Sequence, residues 1–155
     1  MLKNPRLRNI EKYRNSNKGA AFILFEYIHN EMELNKINTD IYFALLEFYW
    51  PSFISYKGYV FLKEEFTEEY FNTLESQDSN IELWINLLSI DGYFENDEDW
   101  DEKASALSRK LVEIWQLKLK KDFPQLDFVV LYLEDREVGD YGLTFYQKKY
   151  EKKKP

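Results

Sequence analysis

Seven carboxylates stand within the twelve residues from Asp91 to Glu102: Asp91, Glu95, Asp97, Glu98, Asp99, Asp101 and Glu102. No Lys, Arg or His interrupts them, and Tyr93, Phe94 and Trp100 lie among them. Such a run could hold a cation, work as an acid and base pair, or receive the Lys and Arg side chains of a partner. The calcium reading fails on spacing. Asp97, Asp99 and Asp101 fit the first, third and fifth positions of an EF-hand loop. Glu102 then falls where the sharp turn takes Gly, and Ser108 falls where a bidentate Glu belongs. The acid and base reading has no specificity, because 28 acids offer too many pairs for sequence to define a glycosidase-like geometry. Acids at a helix start offset the positive end of its dipole, which accounts for two or three of the seven. The rest point to recognition, with Tyr93, Phe94 and Trp100 as apolar anchors. The expected partner-binding set is Asp91, Tyr93, Phe94, Glu95, Asp97, Glu98, Asp99, Trp100, Asp101 and Glu102.

The remaining chemical inventory is thin. The chain has one histidine and no cysteine, so disulfides and thiolate metal sites are excluded. His29 sits in Glu26-Tyr27-Ile28-His29, the Glu-x-x-His pattern that puts two ligands on one helix face in di-iron bundles. Those sites need the motif twice, so His29 is expected to pair with Glu26 or Glu33 at helical spacing on the surface. No Gly-x-Ser-x-Gly turn presents a serine to it, and no Gly-x-Gly-x-x-Gly or phosphate loop occurs among the five glycines. The expectation is a protein that is not an enzyme, with no catalytic residues, no cofactor and no metal. A small enzyme using carboxylates or His29 is the alternative.

The elements that position these residues follow from periodicity. Ala21, Leu24, Phe25, Ile28 and Met32 recur at 3.6-residue spacing and predict a helix from about Lys18 to Leu34. A second helix spans Ile41 to Tyr49, capped by Asn38 or Thr39 and closed by Pro51. Phe53 to Leu62 is rich in β-formers and broken at Lys57-Gly58, a hairpin or bulged strand. Thr67 opens a short helix over Glu68–Glu75, and Asn80 opens another whose Ile81, Trp84, Ile85 and Leu88 share a face. The longest helix runs from about Asp99 to Lys121 on a stripe of Ala104, Leu107, Leu111 and Ile114 or Trp115, and Phe123-Pro124 stops it. Leu126–Glu134 is apolar on both faces and predicts a central strand, followed by a strand at Leu143–Gln147. The predicted fold class is α+β: a single domain over residues 1–155, with a three- to four-stranded antiparallel sheet packed against several helices and a helical N-terminal third. The basic ends, about 1–15 and 148–155, are expected to be flexible.

Charge separates along the chain. Residues 1–20 carry six of the 21 cations and residues 148–155 carry five, leaving ten cations against 26 of the 28 acids between them, a body of −16. A field of that sign repels nucleic acid and anionic membranes and attracts basic surfaces. No nucleic acid and no membrane partner is therefore expected. Met1–Lys18 is basic and polar, the apolar run Ala20–Phe25 is short, and no stretch reaches bilayer length, so a cytoplasmic protein is expected. Aromatic residues make up 18% of the chain, more than a core this size absorbs. Tyr42-Phe43, Phe48-Tyr49-Trp50 and Tyr56 cannot all point inward, and some are expected to line a contact surface or a dimer interface.

Trp50-Pro51-Ser52-Phe53, then Gly58-Tyr59-Val60-Phe61-Leu62, a long helix with Trp115, Phe123-Pro124, an apolar strand and Tyr141-Gly142-Leu143-Thr144-Phe145-Tyr146-Gln147 form an ordered series. In pattern, over about residues 50–147, it resembles small acidic bacterial proteins encoded as immunity partners of secreted polymorphic toxins, including those of contact-dependent growth inhibition. The resemblance implies a non-catalytic immunity or antitoxin protein that covers a toxin domain, often a basic nuclease. It assigns no binding residues, because partner surfaces in such families vary. Toxin neutralisation by protein–protein interaction is thus the expected function. A homodimeric scaffold or regulatory protein is the other non-enzymatic alternative.

Overall fold

The computed structural model describes residues 7–16, 23–77, 80–94, 98–135 and 140–151, with the backbone alone at 135 and 140. In chain order the elements are α1 (Arg8–Ser16), α2 (Leu24–Leu34), α3 (Ile41–Tyr49), β1 (Phe53–Tyr56), β2 (Tyr59–Leu62), α4 (Glu68–Ser76), α5 (Ile81–Ile85), β3 (Leu88–Ser89), α6 (Trp100–Asp122), β4 (Phe128–Asp135) and β5 (Asp140–Gln147). Short 3-10 turns lie at Asp91–Tyr93 and Lys148–Tyr150. The class is α+β with a helical N-terminal third, as the pattern predicts. The strands divide between a hairpin, β1-β2, and a three-stranded antiparallel sheet in the order β3-β5-β4.

Local chemistry explains most boundaries. Lys57 and Gly58 both take positive φ, 50° and 83°, so the hairpin turns through the two left-handed residues that match strand twist. Thr67 Oγ1 accepts the Tyr70 N–H and caps α4, and Asn80 Oδ1 accepts the Leu83 N–H and caps α5. Lys120 and Lys121 close α6 at its negative end. The helix predicted from about Lys18 begins at Leu24, residues 17–22 lying outside the described residues. Within the stretch read as a loose basic end, residues 8–16 form α1, whose Tyr13 ring meets Tyr27 of α2 edge-on at 5.1 Å. At the other end the 148–150 turn is held by the Lys148 N–H on Asp127 O and by Tyr150 stacked on Tyr59 at 4.7 Å.

Two expectations are corrected. The helix after Asn80 stops at Ile85, so Leu88 leaves its predicted stripe for β3, and Trp84 is 48% exposed. The stop falls there because the Asn86 side chain is held by the backbone of two strands, as described below. β4 is an edge strand and β5 is the central one, paired with β3 on one side and β4 on the other. Both faces of β5 are covered. Tyr141, Leu143 and Phe145 enter the main core with Ala104, Leu111, Trp115 and Leu119 of α6, while Thr144 and Gly142 abut Leu83 and Leu87 on the α5 side. A Cβ on Gly142 would lie 2.8 Å from Leu87 Cδ1, so a larger residue there would make the end of the Leu87 side chain shift.

The hairpin divides two cores. Val60 and Leu62 face the α6 core, whereas Phe61 faces a second cluster of Phe71, Leu74, Ile81 and Ile85. This is strand alternation with an apolar layer on each side.

Candidate functional site

The acidic segment starts where β3 ends and finishes in the first turn of α6. Asp91 opens the 3-10 turn and accepts the Ser89 hydroxyl at 2.5 Å. Tyr93 is 64% exposed and meets Phe48 edge-on at 5.4 Å, tying this segment to α3. Phe94 is half-buried against the main core. Glu95 and Asp97 lie outside the described residues. Glu98 and Asp99 are both engaged by Arg8 of α1: one guanidinium nitrogen bonds Glu98, Nη2 donates to Asp99 Oδ1 at 3.1 Å, and Nε lies 2.8 Å from Asp99 Oδ2. Asp99, and after it Glu98, push the Arg8 pKa further up. Trp100 is half-buried and packs edge-on against Tyr141 at 5.4 Å. Asp101 accepts the Tyr141 hydroxyl, and Glu102 is exposed in the same turn. Among the described carboxylates of this run, four serve contacts within the chain, so the surplus inferred from counting acids is smaller than the sequence suggests. Sequence spacing cannot reveal this, because Arg8 and Tyr141 lie 90 and 40 residues away from Glu98 and Asp101.

His29 is exposed, with Nε2 3.7 Å from Glu33, the helical pairing expected of it. Among the described residues no three His, Asp or Glu side chains converge as metal ligands would. No helix among them is long and apolar enough to cross a membrane.

Beside Tyr93 a cleft of about 460 Å³ opens between α3 and the body of the protein. Phe43, Ala44 and Phe48 form its α3 wall, Leu62, Leu88 and Trp115 its floor, and Glu47, Lys63, Glu64 and Glu65 lie on its lining too. Trp115 is 1% exposed and donates its indole N–H to Phe48 O at 3.2 Å, pinning α3 over the core. Glu47 accepts both the N–H and the hydroxyl of Ser52, at 2.9 and 3.1 Å, and so fixes the Pro51 corner.

α3 itself is unusual. It reads Ile-Tyr-Phe-Ala-Leu-Leu-Glu-Phe-Tyr, apolar on all sides except Glu47, and none of its residues is buried. A helix apolar all round is ordinarily an interior helix. Phe43 is 71% and Leu46 58% exposed. The surplus of aromatics in the sequence pointed to this outcome for Tyr42, Phe43, Tyr49 and Trp50, all of which are exposed.

The residues that sequence reasoning missed are polar and interior. Glu82 of α5 is fully buried. Its Oε1 accepts the Val60 N–H at 2.7 Å and Gln147 Nε2 at 2.6 Å, and its Oε2 accepts the Gln147 N–H at 2.5 Å. One turn on, Asn86 Oδ1 accepts the Leu62 N–H at 2.8 Å, and Nδ2 donates to Val60 O at 3.0 Å and Phe145 O at 3.1 Å. The Glu82 side chain of α5 and the Asn86 side chain just past its end thereby satisfy the outer edge of β2 and join it to β5, standing where a further strand would pair. Burial pushes the Glu82 pKa up and the bonds from Gln147 and Val60 oppose that. A carboxyl with a raised pKa is a general-acid candidate by type. Here both oxygens face protein donors and no surface is exposed, so its role is structural. Its one sequence signal is an acid beside Ile81 in a helix that buries Ile81 and Ile85.

Compared with protein-family models, with curated proteins and with solved structures, the chain finds no match.

Proposed function

We propose that this is a non-catalytic protein-binding module of the immunity or antitoxin kind, acting in the bacterial cytoplasm on a basic toxin domain. The observation that carries the proposal is the uncovered apolar surface of the N-terminal helices. Between residues 23 and 50 lie twelve of the eighteen exposed large apolar side chains among the described residues. At about half exposure and roughly 200 Å² each they present on the order of 1,000 Å². Seven of the twelve lie between Ile41 and Trp50, on α3 and its end, and a standard interface takes about 800 Å² from each partner. The charge of the same stretch gives the partner's sign, with Glu26, Glu31, Glu33, Asp40 and Glu47 against Lys36. The segment from Asp91 to Glu102 extends that negative field through Tyr93, which touches α3.

The test is neutralisation. A basic toxin domain encoded in the adjacent reading frame is co-expressed with this chain, and binding of the two purified proteins is measured across a salt series. Restored growth and an affinity that falls with added salt are expected. Absence of both rescue and binding would remove the proposal.

A further inference from the structure

We infer that the outward face of α3 and the cleft beside it form the seat for an apolar anchor carried by a basic segment of the partner. The inference rests on the protein-binding reading above and shifts the main contact from the acidic segment to α3. The helix is fixed from beneath by the Trp115 indole on Phe48 O and at its end by Glu47 on Ser52, so its outer side is presented on a held backbone. Phe43 lies at the junction: 71% exposed on the helix, it also lines the 460 Å³ cleft. The cleft has a Leu62, Leu88 and Trp115 floor and is wide enough for a large side chain. Apolar floor and charged rim together resemble a hot-spot pocket.

Charge selects the occupant. Glu47, Glu64 and Glu65 against Lys63 give the cleft a net negative lining. The cations Lys118 and Lys121 are not among its lining residues and lie over Trp50 at 5.7 and 5.6 Å. A second copy would bring like charge to a two-fold contact, from a body that already carries 26 acids against ten cations. A segment with Leu or aromatic anchors flanked by Lys or Arg meets both requirements at once.

The probe is a synthetic amphipathic peptide of leucine and lysine at helical spacing, titrated into the full chain by calorimetry. A leucine–glutamate peptide and a lysine–serine peptide serve as controls. The leucine–lysine peptide should bind and both controls should fail. Phe43→Gln with Leu46→Gln, which adds no charge, should weaken binding about tenfold or more, as loss of an anchor does. Phe43→Ser, a milder change at an exposed site, should weaken it in the same direction with the thermal midpoint retained. Equal binding by the parent and both variants would overturn the inference. So would light scattering that shows a parent dimer dissociated by Phe43→Ser, since a second copy would then cover the face. The toxin arm separates the two levels. A toxin bound equally by parent and Phe43→Ser would overturn this siting and leave the immunity reading standing. No toxin binding with intact peptide binding would remove the immunity reading and leave the seat.

Discussion

Glu82 sets its two carboxyl oxygens against three protein donors, the Val60 and Gln147 N–H groups and Gln147 Nε2. Glutamine would turn its amide nitrogen toward a donor, the Gln147 N–H that now bonds Oε2. Because burial raises the folded pKa above its ordinary 4.5, the folded chain holds the proton more tightly than the unfolded chain does. The contribution of Glu82 to stability is therefore largest at low pH and declines as pH rises from about 4.5 through the folded value. Urea midpoints for the parent and Glu82→Gln between pH 4 and 8 check this: the parent's advantage over the variant should shrink as pH rises. An advantage that grows with pH would contradict it. At this scale the sequence displays residue types but not their partners. The acids of residues 91–102 are visible as a run. That Arg8 claims Glu98 and Asp99 and that Tyr141 claims Asp101 depends on contacts that only the tertiary fold creates.

Elements governed by their own nearest residues were legible. Thr67 and Asn80 announce helix starts, and Lys57-Gly58 announces a turn, because capping and left-handed backbone are local properties. Gly58→Ala should accordingly cost about 1 kcal/mol from backbone strain alone, since a Cβ there meets nothing within 4 Å, and thermal unfolding would show it. Strand order was not legible. β4 and β5 are both rich in apolar residues, and which of them is central depends on α5 and β3 arriving on the far side of β5. α3 is the intermediate case: its limits could be read from Pro51 and its apolar run, but its exposure could not. Its attachment through the Trp115 indole makes a separate claim. Trp115→Phe removes that hydrogen bond and part of a buried ring, a loss of about 1–3 kcal/mol. Amide exchange should speed up in residues 41–49 well before it does in the middle of α6.

At the scale of the whole molecule, the proposed complex divides the work of association between charge and apolar area. Negative field acts at long range and sets the rate of encounter, whereas a seated anchor sets the rate of escape. Glu95→Lys, Asp97→Lys and Glu102→Lys together should slow association with a basic partner several-fold at low salt, flatten its salt dependence and leave dissociation nearly unchanged. Phe43→Ser should do the opposite, and surface plasmon resonance separates the two. The −16 body and the aromatic surplus were readable from composition, while the contact of Tyr93 with Phe48, which brings the start of the acidic segment beside α3, needed the fold. The polar link through α5 has a consequence in time as well. Its bonds join residues 22 to 65 positions apart, so the chain must close long loops before α5 gains any of them. The β1-β2 hairpin and α6 can form from neighbours, but the joint between hairpin and sheet belongs late on the folding path. Asn86→Ala should then leave the refolding rate almost untouched and accelerate unfolding, a shift confined to one arm of the chevron. The helix that completes the interior is thus the latch whose release sets how long the native state lasts.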